Sequence, residues 1–154
     1  MDISLNGNDT ISLTYQGNAT LLTKFFDKDF GLLVAPNKLA TVKVGKKGNA
    51  AVSVNYMGLL AELTLRLLVG SVDDALINSI QRTFIQDPPS FALLGGQIIK
   101  RTGDGQGNVQ NIIHYLQGGV PDALPEEHSN ADGDEEQAVA IWKFTFVSYQ
   151  RQIM

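Results

Sequence analysis

Along most of this chain apolar and polar residues alternate with a period of two, the spacing that sends successive side chains to opposite faces of a β-strand. Ile11, Leu13 and Tyr15 interleave with Thr10, Ser12 and Thr14. Ala40, Val42 and Val44 interleave with Thr41, Lys43 and Gly45; beyond Lys46-Lys47-Gly48-Asn49, the residues Val52, Val54 and Tyr56 interleave with Ala51, Ser53 and Asn55. Residues 39–56 are therefore expected to form a long β-hairpin closed by a Gly-Asn turn. Over 60–69, Ala61, Leu63, Leu65, Leu67 and Val69 share one face and Glu62, Thr64 and Arg66 the other, with Leu68 an exception. Such half-buried alternation fits a sheet that covers a core on one side.

One segment changes period. Ser71 followed by Asp73 and Asp74 reads as a helix start, a serine cap with acids in the first turn where the positive end of the helix dipole favours them. Val72, Leu76, Ile80 and Phe84 then recur every four residues with Ile77 beside them, so a helix over 71–86 should dock one face on the sheet. Asp87-Pro88-Pro89 stops it. Strands resume over 91–101, 109–117 and 138–149; the first two are joined by Gly103-Asp104-Gly105-Gln106-Gly107-Asn108, and the last carries Ala140, Trp142, Phe144 and Phe146 opposite Lys143 and Thr145. Between them 118–136 reads as a long acidic loop. The pattern predicts one α+β domain over 1–154, mainly antiparallel β with one packed helix.

Composition narrows the function. The chain has 154 residues, no cysteine, and no apolar run near the ~20 residues that a membrane span needs, so disulfide scaffolds, thiol chemistry and membrane insertion are not expected. The opening residues have neither a basic start nor an apolar core, so no secretory signal is expected. Acids outnumber bases sixteen to twelve, yet seven acids (Asp122, Glu126, Glu127, Asp132, Asp134, Glu135, Glu136) fall within 122–136, leaving a small basic surplus elsewhere. That surplus is far short of a tight nucleic-acid binder's.

Candidate chemistry is thin. Gly103–Asn108 spells G-x-G-x-G, but a phosphate cradle needs a following helix and a strand is expected there, so the stretch reads as a hairpin turn. Asn130–Glu136 is rich in oxygen ligands, yet glycine sits at the wrong place for an EF-hand loop and flanking helices are missing. His114 and His128 belong to no recognisable catalytic motif, and the pairs Glu126-Glu127 and Glu135-Glu136 sit on wet segments where carboxyl pKa values are seldom raised. No enzyme activity, metal or cofactor is expected.

Strand length against chain length points elsewhere. Long alternating strands with few edge lysines or prolines expose rows of unpaired backbone groups, a hazard for a monomer. The polar faces carry Thr, Ser, Asn and Gln more than charges. Both traits fit sheets from several copies joining into a closed barrel whose neutral polar face lines a water-filled bore.

The segments Asp2-Ile3-Ser4-Leu5-Asn6-Gly7-Asn8-Asp9, Lys43-Val44-Gly45-Lys46-Lys47-Gly48-Asn49, Leu65-Arg66-Leu67-Leu68-Val69-Gly70-Ser71-Val72-Asp73-Asp74, Lys100-Arg101-Thr102-Gly103-Asp104-Gly105-Gln106-Gly107-Asn108-Val109 and Gly133-Asp134-Glu135-Glu136-Gln137-Ala138-Val139 together resemble the tail tube proteins of contractile-tailed bacteriophages. The resemblance spans nearly the whole chain in element order. It implies an antiparallel β-sandwich or barrel-like subunit with one flanking helix, a projecting hairpin (42–54), a bridging or sheath-facing acidic loop (118–136) and an N-terminal arm (1–8). Subunits of that family form hexameric rings that stack helically into a hollow tube, with no catalytic or cofactor residues to carry over. The implied partners are further copies of the chain, the tail sheath protein, the tape-measure protein and phage DNA in transit; the implied location is the virion tail, assembled in the bacterial host cytoplasm. Inter-subunit candidates are Lys46, Lys47, Asn49, Asp132, Asp134, Glu135 and Glu136. Bore-facing candidates from alternation are Thr41, Lys43, Ser53 and Asn55. Two rivals are a type VI secretion or bacteriocin tube and a monomeric β-barrel that binds a small ligand.

Overall fold

A computed structural model of the chain describes residues 4–6, 9–23, 31–128 and 139–154. The chain is mainly β with one α-helix, as the alternation predicts. In order the strands are β1 (Leu5–Asn6), β2 (Thr10–Tyr15), β3 (Asn18–Leu22), β4 (Gly31–Val34), β5 (Ala40–Val44), β6 (Ala50–Val54), β7 (Ala61–Leu68), β8 (Leu94–Gly103), β9 (Val109–Pro121), β10 (Glu126–His128) and β11 (Val139–Ile153). Helix α1 (Val72–Gln86) lies between β7 and β8.

Nine strands form one antiparallel sheet, ordered β3-β2-β8-β9-β11-β7-β4, with β1 added beside β8 and β10 beside β11. Among the described residues β5 and β6 pair only with each other. The sheet curls on itself: a Cβ built on Gly31 of β4 would lie 3.5 Å from Ile11 Cδ1 of β2, far away in strand order. Among the described residues no ladder joins β4 to β2 or β3, so the barrel stays open at this seam.

The core fills the curl. Leu63, Leu65 and Leu67 of β7, Trp142, Phe144 and Phe146 of β11, Ile11 and Leu13 of β2, and Leu116 of β9 are buried together with Ile77 and Ile80 of α1. Ser71 caps the helix, its Oγ accepting from the Asp74 N–H at 3.2 Å. Two acids of the first turn then tie the helix to the sheet. Asp74 Oδ1 accepts from Trp142 Nε1–H at 2.8 Å, and buried Asp73 accepts from the Thr23 N–H at 2.7 Å through Oδ2. The buried face of α1 is Asp73, Ile77, Ile80 and Gln81, with Leu76 and Phe84 partly buried. Val72, expected on that face, points out at 77% exposure, because these capping acids set the helix's rotation about its axis.

β9 and β11 run farther than the core, and their facing changes midway. Phe144 and Phe146 are buried and pair with Pro121 and Gly119. Three residues beyond Phe146, Tyr149 again packs against the core, opposite buried Leu116. The alternation slips at Val147 and Gly118, where Gly118 takes φ +69, a conformation that glycine adopts without strain. A side chain on Gly119 would meet Phe146 Cε1 at 2.3 Å, so the strands close here only because that residue has none.

Several boundaries differ from the sequence reading. β3, β4 and β10 are additional strands; β3 follows a two-residue turn in which Gln16 and Gly17 both have positive φ (51 and 80). The expected loop 118–136 begins with the end of β9 and includes β10, while 129–138 lie outside the described residues. Within the expected arm 1–8, Leu5–Asn6 pair with β8, and residues 1–3 and 7–8 lie outside the description. β8 starts at Leu94 rather than Phe91, and Val69 sits in the β7–α1 turn, half-exposed rather than in the core.

Candidate functional site

The G-x-G-x-G stretch is a hairpin tip, as its following strand requires. Asp104 Oδ1 accepts from the backbone N–H of Gln106 at 2.8 Å and of Asn108 at 3.2 Å, and Oδ2 accepts from Asn108 Nδ2 at 2.7 Å. The Asn108 amide, foremost, holds the Asp104 carboxyl below the usual carboxylate range. Both its oxygens serve the turn.

The hairpin β5–β6 is different in kind. Thr41 faces Ser53, Val42 faces Val52, and Val44 faces Ala50. Directly opposed residues share a face, so Ala40, Val42, Val44, Ala50, Val52 and Val54 make one apolar side of the ribbon; Thr41, Lys43, Ala51 and Ser53 make the other. Every residue of both strands is exposed, and the four valines range from 57% to 69%. Lys46, Lys47 and Asn49 lie at the tip, where Gly48 takes φ +85 and donates its N–H to the Gly45 carbonyl at 3.1 Å.

The base of the ribbon is tightly built. Asn55 donates its backbone N–H to the Leu39 carbonyl at 2.6 Å, and its Oδ1 accepts from the Met57 N–H, capping a short 3-10 turn over Tyr56–Leu59. Asn55 thus anchors the ribbon instead of extending the polar row of Thr41, Lys43 and Ser53. Buried Gly58 lies so close to the preceding loop that a Cβ there would meet Leu39 Cα and the Lys38 carbonyl oxygen at 2.6 Å. Leu39, Tyr56 and Met57 add exposed apolar surface beside the valines.

A second surface faces away from the core on β2, β8, β9 and β11. Its cross-strand rows are Ser12–Gln97–Tyr115–Gln150 and Thr10–Ile99–Ile113–Gln152, followed by Arg101–Asn111; within them Ile113 is buried and Ile99 half-buried. Within these rows Arg101 is the sole charged side chain. This neutral polar surface was legible as a composition, but its strands emerge only from the register.

The seam of the curled sheet opens as a cleft of about 470 Å3, floored by Ile11, Leu33, Leu63 and Ile98 and edged by Asp9, Lys100, His114 and Tyr149. His114 Nδ1 lies 2.6 Å from the Tyr149 hydroxyl with the two rings stacked. Burial, then the charges of Lys100 and Arg151, depress the His114 pKa against the weaker pull of Asp9; burial raises that of Tyr149. No sequence motif announces this pair, since its members are 35 residues apart. His128 belongs to β10, and Asp132, Asp134, Glu135 and Glu136 lie outside the described residues. Among the described residues no group of three or more His, Cys, Asp or Glu side chains could hold a metal.

No family model matches this chain, and a search of curated proteins finds no match. Fold and surfaces define an antiparallel, mainly β domain with one packed helix and an exposed amphipathic ribbon.

Proposed function

We propose that this chain is a structural virion protein: the subunit of the inner tail tube of a contractile-tailed bacteriophage, the conduit for DNA ejection. The observation that carries the reading is the β5–β6 ribbon, whose apolar face is left exposed by the described residues. An isolated two-stranded hairpin is marginal in water, and an exposed row of valines costs solubility. A neighbouring subunit that covers the row removes both penalties. Hexameric rings, stacked helically, are the assembly that the family resemblance implies, and the sheath and tape-measure proteins are the further partners.

The neutral face of β2, β8, β9 and β11 supports the same reading. DNA binds proteins largely through phosphate contacts with Lys and Arg, so a wall whose polar residues are Ser12, Thr10, Gln97, Asn111, Gln150 and Gln152, beside Tyr115 and Ile99 and with Arg101 its one cation, offers few phosphate contacts to capture it. We assign this face to the bore; Thr41, Lys43 and Ser53 then line a subunit contact. A rival draws on the seam cleft, whose volume and mixed lining fit a small ligand held by a monomer.

Negative-stain electron microscopy of the purified chain across a concentration series tests the proposal. Rings or hollow tubes are expected at high concentration. Discrete particles of one 16.7 kDa chain at every concentration overturn it.

A further inference from the structure

The ribbon's chemistry restricts what can cover it. Residues 40–54 contain Lys43, Lys46 and Lys47 and no acid, whereas the rest of the chain holds all sixteen acids against nine bases. Two ribbons laid together would bring six lysines into one contact, so a ribbon-on-ribbon pairing is disfavoured. The partner surface should be apolar at its centre and acidic at its rim.

One described surface has that character. Between β9 and β10 the chain forms a ridge over 122–127 that carries Asp122, Glu126 and Glu127, all exposed, around Leu124 at 70% exposure. The ridge is held rigidly. The Asp122 N–H donates to the Lys143 carbonyl at 2.9 Å, Gln81 Nε2 on α1 donates to the Ala123 carbonyl at 3.1 Å, and Glu126 and Glu127 pair with Ile141 and Ala140 of β11. Glu126 has a cationic neighbour, Lys143 at 3.5 Å, in an exposed pair that contributes little. A fixed ridge loses little entropy when it is covered.

Its position also matters. The ribbon precedes the start of β7, where Ala61 pairs with Phe146, whereas the ridge flanks β11 around Ile141 and Ala140. At about 3.3 Å per residue, some 17 Å of strand separates Phe146 from Ile141. The ridge runs along β11 from Lys143 to Ala140, so ribbon and ridge are unlike patches at different places on the β7–β11 pair, and a contact between them is head-to-tail. Contacts of that kind propagate from copy to copy and close into rings or continue as stacks.

We infer that the ridge 122–127 of one copy receives the apolar, lysine-tipped face of the ribbon 40–54 of the next, with the tip lysines among the ridge's acids and the valines over Leu124. This rests on the tube reading and names the surface that completes it.

The test is a charge swap read by pelleting and electron microscopy. Lys46→Glu/Lys47→Glu and Glu126→Lys/Glu127→Lys are each expected to raise the assembly threshold about tenfold, with circular dichroism unchanged, and the fourfold variant to restore assembly. Because the chain has no native cysteine, Lys47→Cys/Glu127→Cys gives an independent readout: a short bis-maleimide should yield a ladder of linked copies from assembled protein. Either one-sided charge variant assembling like the parent overturns the inference, as does assembled cysteine variant without a ladder. If the fourfold variant stays soluble, the ladder decides. A parent chain that never assembles sinks the tube reading itself, a result distinct from all of these.

Discussion

Val42 and Val52 face each other across the ribbon at 57% and 68% exposure, so they offer a measurable share of any assembly energy while contributing little to the subunit. Full burial of a valine side chain stabilises by about 1.5 kcal/mol, so covering the surface these two still expose supplies roughly 1 kcal/mol each. Val42→Thr/Val52→Thr keeps shape and β-propensity but puts a hydroxyl where each γ-methyl meets the neighbour. The loss is then about 2 kcal/mol per contact, which at 1.4 kcal/mol per decade raises the critical concentration for assembly roughly 30-fold. Pelleting across a dilution series measures that threshold, and thermal unfolding of the dilute subunit supplies the control. Subunit stability should move by no more than about 0.5 kcal/mol, the usual range for exposed substitutions. An unchanged threshold would remove the ribbon's valines from the interface. A drop of many degrees in Tm would show that they already pack within the subunit.

Two further expectations concern the subunit alone. Gly119→Ala places a Cβ 2.3 Å from the fully buried Phe146 ring, so it should cost about 3 kcal/mol, or roughly 6–12 °C in Tm; a shift under 2 °C would mean that the ring can move aside. For His114 the depressed folded-state pKa means that the unfolded chain takes up the proton first as pH falls. Its stabilising contribution is therefore complete above the unfolded value near 6.5 and is lost as pH drops from there toward the folded value. Thermal unfolding from pH 7.5 to 5 should show that decline, and His114→Gln should flatten it; parallel curves for parent and variant would refute the assignment.

The legible parts of the sequence share one property: their signal is local. The period of two gave β2, β5, β6, β7 and β11 because each alternates its residue types over five or more positions, whether the apolar side is buried, as in β7, or exposed, as in β5 and β6. Ser71 and the acids after it gave the helix start within a residue. Val72 shows where locality ends. Four-residue spacing placed it with Ile80 and Phe84, but the rotation of α1 is set by Asp73 reaching Thr23 and by Asp74 reaching Trp142, partners 50 and 68 residues away. The strands missed were short or weakly patterned. β3 has one buried residue, Leu22, β4 none, and β10 spans three residues inside a run of acids that reads as solvated loop.

The candidate surfaces divide in the same way. The ribbon was legible because both its strands and its turn are contiguous. The neutral face was foreseen as a composition, with Thr41, Lys43, Ser53 and Asn55 as its candidates from alternation; the rows on β2, β8, β9 and β11 are a second such surface. Locating it requires the register that sets Ser12 beside Gln97, Tyr115 and Gln150, and the slip at Gly118 and Val147 that turns Gln150 and Gln152 away from the core. Without that slip, strict alternation from Phe144 and Phe146 would send Gln150 and Gln152 inward and Tyr149 outward. The glycine pair at 118 and 119 therefore does two jobs: one residue reverses the facing of the long strands, and the other makes room for Phe146. Its position decides which side chains the outward face of the long strands presents, so that surface is fixed by a backbone conformation rather than by the residues that form it.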